Sequence, residues 1–73
     1  MSYGRVHEIA DVRAVAESKT GSAILCVLPD RTKEWVPRSQ IHELSDVHDK
    51  GDEGILTVTW WLAVKKGWVE DDG

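Results

Sequence analysis

The chain has 73 residues and a net charge of −4, so it lacks the basic excess on which general nucleic-acid binding depends. At this length we expect one domain over residues 1–73, with loosely ordered ends at 1–5 and 69–73. The single cysteine, Cys26, excludes an internal disulfide, and no apolar run could span a membrane or act as a signal peptide. These features predict a soluble protein of the reducing cytoplasm.

The N-terminal half carries three segments that predict strands. In the first, Glu8–Glu17, the predicted apolar face consists of every second residue from Ala10 to Ala16, and the residues between them are mostly charged. This alternation favours a half-buried strand over a helix. A turn containing Gly21 leads to Ala23–Leu28, which is apolar on both faces and is predicted to be the central strand. A second turn leads to Lys33–Val36, which must end where Pro37 removes the donor that a ladder needs.

The C-terminal half predicts a loop, a short strand and a helix. Residues 42–54 are polar and without helical or strand period, so we expect a surface loop. A β-branched segment, Ile55–Val58, predicts the fourth strand. Thr59 is a suitable N-cap for a helix over Trp60–Lys66, and Gly67 fits the left-handed position after its end.

Together these elements predict an α+β fold. Its antiparallel sheet consists of a three-stranded meander plus a short fourth strand, and one short helix follows at the C-terminus. An SH3-like or OB-like barrel is one way in which such a sheet could close.

Residues with catalytic or metal-binding potential do not form a recognisable set. The histidines and Cys26 have no paired metal-ligand spacing, and the acidic residues do not follow the calcium-loop pattern. Ser39, His42 and Glu43 could be drawn as a nucleophile, base and orienting group, but a chain this small offers little concave surface around them. We therefore expect no enzymatic activity, no cofactor and no metal.

Acidic residues are concentrated in the predicted loop and in the tail. A charge run of this kind is usually a solvated face, but it would also suit a partner with a basic surface. The predicted acidic contact residues are Glu43, Asp46, Asp49, Asp52, Glu53, Glu70, Asp71 and Asp72.

The tryptophans suggest a second kind of contact surface. Trp60 and Trp61 are adjacent, so on a helix they point about 100° apart and cannot both face a narrow core. A wide buried face is the simpler interpretation, whereas an exposed tryptophan would be an aromatic anchor for a partner or a platform for nucleic-acid bases. The residues of this alternative surface are Trp35, Arg38, Trp61, Lys65 and Lys66.

The segment Trp35–Ile41 has the form W-(I/V)-P-(K/R)-S-Q-I and resembles a family of short uncharacterised phage and mobile-element proteins. Ala23–Asp30, the Gly51–Gly54 turn and Trp60–Gly67 are also similar to that family, so the resemblance covers about residues 20–68. It implies a small accessory protein in a bacterial host cell and brings no catalytic residues.

Two functions are thus predicted. The first is a non-enzymatic protein-binding module that inhibits a host defence complex, in the manner of an anti-CRISPR protein, by presenting its acidic surface to a basic nucleic-acid-binding site. The alternative is a small-barrel accessory protein that binds single-stranded nucleic acid.

Overall fold

The computed structural model describes residues 5–70. Their elements are β1 (Val6–Glu17), β2 (Ala23–Val27), β3 (Lys33–Pro37), a 3₁₀ turn (Arg38–Gln40), β4 (Glu53–Thr59) and α1 (Trp60–Lys66). All strand pairings are antiparallel, in the order β3-β2-β1-β4. The predicted α+β fold, with its four-stranded sheet and C-terminal helix, is therefore confirmed. The sheet remains open, so a closed SH3-like or OB-like barrel is not formed by the described strands.

β1 begins two residues earlier than predicted, since Val6 and His7 pair with Thr59 and Val58 of β4. A bulge within it changes the side on which its side chains lie. Asp11 has a φ of 59°, and the register with β4 shifts between Ile9 and Val12. The extra residue reverses the alternation, so Ile9 packs against the core before the bulge and Val12 and Ala14 are buried after it. The prediction that Ala10 belongs to the apolar face is wrong, since Ala10 is exposed.

The core lies between the sheet and the segments that follow β3. β2 is one of two interior strands, with β1 as the other, and it contributes Ile24 and Cys26. Leu56 and Val58 come from β4, and α1 adds its own buried face. The buried apolar residues are Val12, Ala14, Ile24, Cys26, Leu28, Val36, Val47, Leu56, Val58, Leu62 and Ala63.

α1 begins and ends as the sequence predicts. The Thr59 hydroxyl accepts a hydrogen bond from the Leu62 N–H at 3.3 Å. Gly67 has a φ of 80°, and the Trp68 N–H donates to the Ala63 carbonyl at 2.9 Å, which completes a Schellman ending. No helix within residues 5–70 has the length and apolar character that a membrane span requires.

The segment between the 3₁₀ turn and β4 is attached to the sheet, unlike the purely surface loop that was predicted. Ile41 forms a bridge with Val58, and the His42 and Asp46 N–H groups donate to carbonyls of β4 at 2.8 Å. Val47 is fully buried although its neighbours are polar. This segment therefore covers the outer edge of β4.

Most of the residues predicted to be loosely ordered, 1–5 and 69–73, lie outside the part of the chain that the structure describes. Residues 1–4 and 71–73 lie outside the described residues. Arg5 is described, and its carbonyl accepts a hydrogen bond from the Trp60 N–H at 2.9 Å. Val69 packs against the core from the other end of the chain.

Candidate functional site

Arg38 lies in the 3₁₀ turn and links the sheet to the acidic loop. Its Nη1 donates to the His48 carbonyl at 3.0 Å and to the Asp49 carboxylate, and its Nη2 lies 3.4 Å from the Glu17 carboxylate. The carboxylates of Asp49, the larger cause, and of Glu17 raise the pKa of the Arg38 guanidinium. Although the sequence placed Arg38 in the aromatic and basic surface, its guanidinium is bound within the chain.

Three of the predicted acidic contact residues also hold the loop in shape. The Asp46 carboxylate accepts from the Ile55 N–H at 3.0 Å. The Asp52 carboxylate accepts from the N–H groups of His48 and Asp49 at 3.1 and 3.0 Å, and these bonds lower the Asp52 pKa. Asp46, Asp49 and Asp52 therefore stabilise the conformation of the loop, in addition to any contact with a partner.

The other acidic residues have a different position. Glu43, Glu53 and Glu70 are exposed, and among the described residues none of their side chains has a hydrogen bond or ion pair. Asp71 and Asp72 lie outside the described residues. Within residues 5–70, the predicted acidic contact residues whose carboxylates are available without disturbing the fold are thus these three glutamates.

The aromatic and basic residues meet in one groove between β3 and α1. Trp35 is 45% exposed and Trp61 59% exposed, and both line this groove of about 400 Å³. Lys65 lies on its rim, with its Nζ 5.0 Å from the centre of the Trp61 ring. The complete lining, which we call the tryptophan groove, is Trp35, Pro37, Trp61, Leu62, Lys65 and Lys66.

Local contacts explain which tryptophan is exposed. Trp60 is held by Arg5, whose guanidinium lies 4.2 Å from its ring centre, and it meets His7 edge to face at 6.4 Å. Trp61 follows on the helix and turns away from the face that buries Leu62. Trp35 likewise alternates with the buried Val36 on β3. Large apolar rings that are exposed in the same groove are typical of a contact surface.

The groove contains one ion pair that reduces its positive charge. Lys66 Nζ lies 3.2 Å from the Glu34 carboxylate, so Lys65 is the groove-lining cation that carries no carboxylate partner among residues 5–70. Four of the five residues predicted for this surface therefore come together, and Arg38 does not line the groove. Sequence reasoning missed Pro37 and Leu62, since only the placement of α1 beside β3 reveals them.

A second, larger hollow of about 530 Å³ was also missed. It is lined by His7, Ile9, Leu28, Pro29, Asp30 and Trp68. Its carboxylate, that of Asp30, already accepts hydrogen bonds from the hydroxyl and N–H of Thr32 at 2.6 and 3.1 Å. Hydrogen bonding to the Thr32 hydroxyl is the largest cause of the lowered Asp30 pKa. The hollow is thus apolar, with few polar groups directed toward a ligand.

The candidate catalytic set is not assembled. His42 Nδ1 accepts from the Leu44 N–H at 3.1 Å, and no hydrogen bond within the described part of the chain joins Ser39 to His42. Burial raises the pKa of the Cys26 thiol to about 11, which makes it a poor nucleophile. No three histidine, cysteine or acidic side chains of residues 5–70 are grouped as ligands for a metal ion.

Comparisons with protein-family models, with curated proteins and with solved structures found no match to this chain. The resemblance to a phage family therefore stays a prediction from the sequence, and the function has to be inferred from the geometry of the surfaces described above.

Proposed function

We propose that this protein is a non-enzymatic protein-binding module whose main contact surface is the tryptophan groove. The observation that supports this best is the exposure of two tryptophans, at 45% and 59%, on the two sides of one groove. In the free protein both rings leave apolar area in contact with water, so a complex with a partner that covers them would be stabilised by the burial of that area. Tryptophan is also the residue type most enriched among binding hot spots.

The local charges favour a protein partner over a nucleic acid. Glu34 pairs with Lys66, so among residues 5–70 Lys65 is the groove-lining cation without a carboxylate partner. One such cation is little for a surface that must follow a phosphate backbone. The net charge of −4 acts in the same direction over a longer range.

Single-stranded nucleic acid remains the second candidate, because the Trp61 ring with Lys65 beside it resembles a stacking platform in its chemistry. A titration with single-stranded oligonucleotides at low salt distinguishes the two. The protein-binding proposal expects no quenching of tryptophan fluorescence, and quenching that disappears in Trp61→Ala would favour the nucleic-acid function.

We also propose an accessory role for the acidic residues. Exposed Glu43, Glu53 and Glu70 would speed encounter with a partner that carries a basic surface, and this contribution would weaken with salt. Inhibition of a host defence complex such as a CRISPR effector is the form that the family resemblance suggests, and it stays a prediction.

Affinity purification from a bacterial lysate tests the proposal with four baits. The first bait is the native chain, and the second, the groove variant, carries both Trp35→Ala and Trp61→Ala. The third, the acidic variant, carries both Glu43→Lys and Glu53→Lys. The fourth is the control Leu44→Ala, which shortens a side chain that is 77% exposed and lies outside the tryptophan groove. We expect a protein that the native and control baits retain and the groove variant loses. Retention by the groove variant with loss by the acidic variant would contradict the proposal.

A further inference from the structure

We propose that the partner binds as an extended peptide strand added to the outer edge of β3, with its side chains entering the tryptophan groove and a carboxylate facing Lys65. This inference rests on the proposed function and names the form and chemistry of the segment that the groove accepts. The mode of binding is β-strand addition, in which main-chain hydrogen bonds provide affinity and neighbouring pockets provide specificity.

The register of β3 shows which main-chain groups face outward. The Arg38 N–H donates to the Ser22 carbonyl at 2.9 Å, and the Leu28 N–H donates to the Thr32 carbonyl at 2.8 Å. Hydrogen-bonded pairs alternate along an antiparallel ladder, so residues 34 and 36 also bond to β2. The main-chain groups of Lys33 and Trp35 therefore point away from the sheet.

This edge is open, whereas the opposite edge is not. The segment from Ile41 to Asp46 covers β4, but among residues 5–70 no strand or loop forms a main-chain hydrogen bond with the outer side of β3. Unpaired donors and acceptors on an edge strand are a template for another chain. Pro37 has no N–H and ends this template, so the added strand is short and does not start an extended sheet.

The groove lies beside this edge and supplies specificity. Trp35 is both an edge residue with outward main-chain groups and a wall of the groove, and α1 supplies Trp61 and Leu62. The side chains of an added strand alternate, so every second one can enter the groove. Its volume of about 400 Å³ lies within the usual range of ligand pockets, about 300–1,000 Å³.

The charges favour an acidic peptide from another protein over a second copy of this chain. Lys65 lines the groove and Lys33 stands exposed at the start of the edge, and neither has a carboxylate partner in the described part of the chain. A second copy would add another Lys33 and another Lys65 to this surface, and its Glu34 is already paired with its own Lys66, so its β3 would bring positive charge and no unpaired carboxylate. A carboxylate on the peptide would be attracted by both lysines.

The test begins with a display library of linear dodecapeptides, selected on the immobilised full chain. Each selected peptide is then measured against native protein, Trp61→Ala, Lys65→Glu and the control Leu44→Ala. We expect the selected peptides to carry an acidic residue and to bind native and control protein equally. Their affinity for Trp61→Ala and for Lys65→Glu should each be about tenfold or more lower.

Two readouts then examine strand addition itself. N-methylation removes peptide N–H donors one at a time, and we expect loss of binding at every second position with tolerance between them. Hydrogen exchange should slow at the amides of Lys33 and Trp35 when the peptide is bound, while exposed amides of the acidic loop remain unchanged.

The outcomes separate this inference from the proposed function. Selected peptides that depend on Trp61 but show neither alternation nor protection of the Trp35 amide would overturn strand addition and leave the groove as the contact surface. If no peptide depends on Trp61, the inference of an added peptide strand is overturned, and the proposed function is overturned as well only if the groove variant retains the protein captured from the lysate. Protection of the Trp35 amide that rises with protein concentration, in the absence of peptide, would overturn the inference in favour of a second copy.

Discussion

Arg38 and its acidic partners are charged residues that stabilise the fold of the free protein through contacts within the chain. The guanidinium joins the 3₁₀ turn to Asp49 and to the His48 carbonyl, while Asp52 accepts two N–H groups in the same loop. Reversing Asp49 or Asp52 would disturb this loop as well as its surface charge. Glu43 and Glu53 are therefore the better positions at which to examine the acidic surface.

Asp52 makes the stability of the loop dependent on pH. The hydrogen bonds from the His48 and Asp49 N–H groups hold the folded-state pKa below its unfolded value, so the carboxylate stabilises the loop once it is ionised. This contribution is present above about pH 4 and is lost as the pH falls through the lower folded-state value.

We predict that Asp52→Asn flattens the pH dependence of the thermal midpoint below about pH 4, because the amide does not titrate. The measurement is thermal unfolding followed by circular dichroism at several pH values. Glu43→Gln is the matched control, since Glu43 has no partner among the described residues, and it should keep the native slope. Equal slopes for Asp52→Asn and the native protein would contradict this role.

At the scale of the element, α1 depends on its N-cap residue, Thr59, because seven residues make a marginal helix. The Thr59 hydroxyl accepts from the Leu62 N–H and donates to the Gln40 side chain at 2.7 Å. The cap thus joins the helix to the end of the 3₁₀ turn.

Removing this hydroxyl should lower the free energy of unfolding. We expect Thr59→Ala to cost about 1 kcal/mol in a urea titration, and Thr59→Ser to retain most of the stability because it keeps the hydroxyl. If serine and alanine destabilise the protein equally, the effect arises from the lost methyl group and the cap has little importance.

The elements also show what local patterns can and cannot predict. Apolar alternation, Pro37, Thr59 and Gly67 are local signals, and the strands and the helix follow them. The bulge at Asp11 has no such signal, because a residue other than glycine takes the positive φ there. The burial of Val47 is likewise determined by contacts with distant strands.

For the whole molecule, the candidate site depends on the order of the strands. Trp35 and Trp61 are 26 residues apart, and they meet because β3 is an edge strand and α1 returns beside it. The sequence could name both residues as anchors, but it could not exclude a buried role for either. Which of Trp60 and Trp61 is exposed depends on Arg5 and His7, at the other end of the chain.

The central claim is that the tryptophan groove is the surface at which this protein meets its partner. Site-specific photo-crosslinking in bacterial cells tests it most directly. A benzophenone amino acid replaces Pro37 on the wall of the groove or, in a matched variant, Lys50, which is exposed in the acidic loop. Each variant is irradiated with and without an excess of unlabelled native protein or of Trp61→Ala.

We predict one dominant protein adduct at position 37, which native competitor removes and Trp61→Ala competitor leaves, since loss of a central tryptophan weakens binding by about 30-fold. An adduct that forms at position 50 and not at position 37, or that both competitors remove equally, would contradict the account.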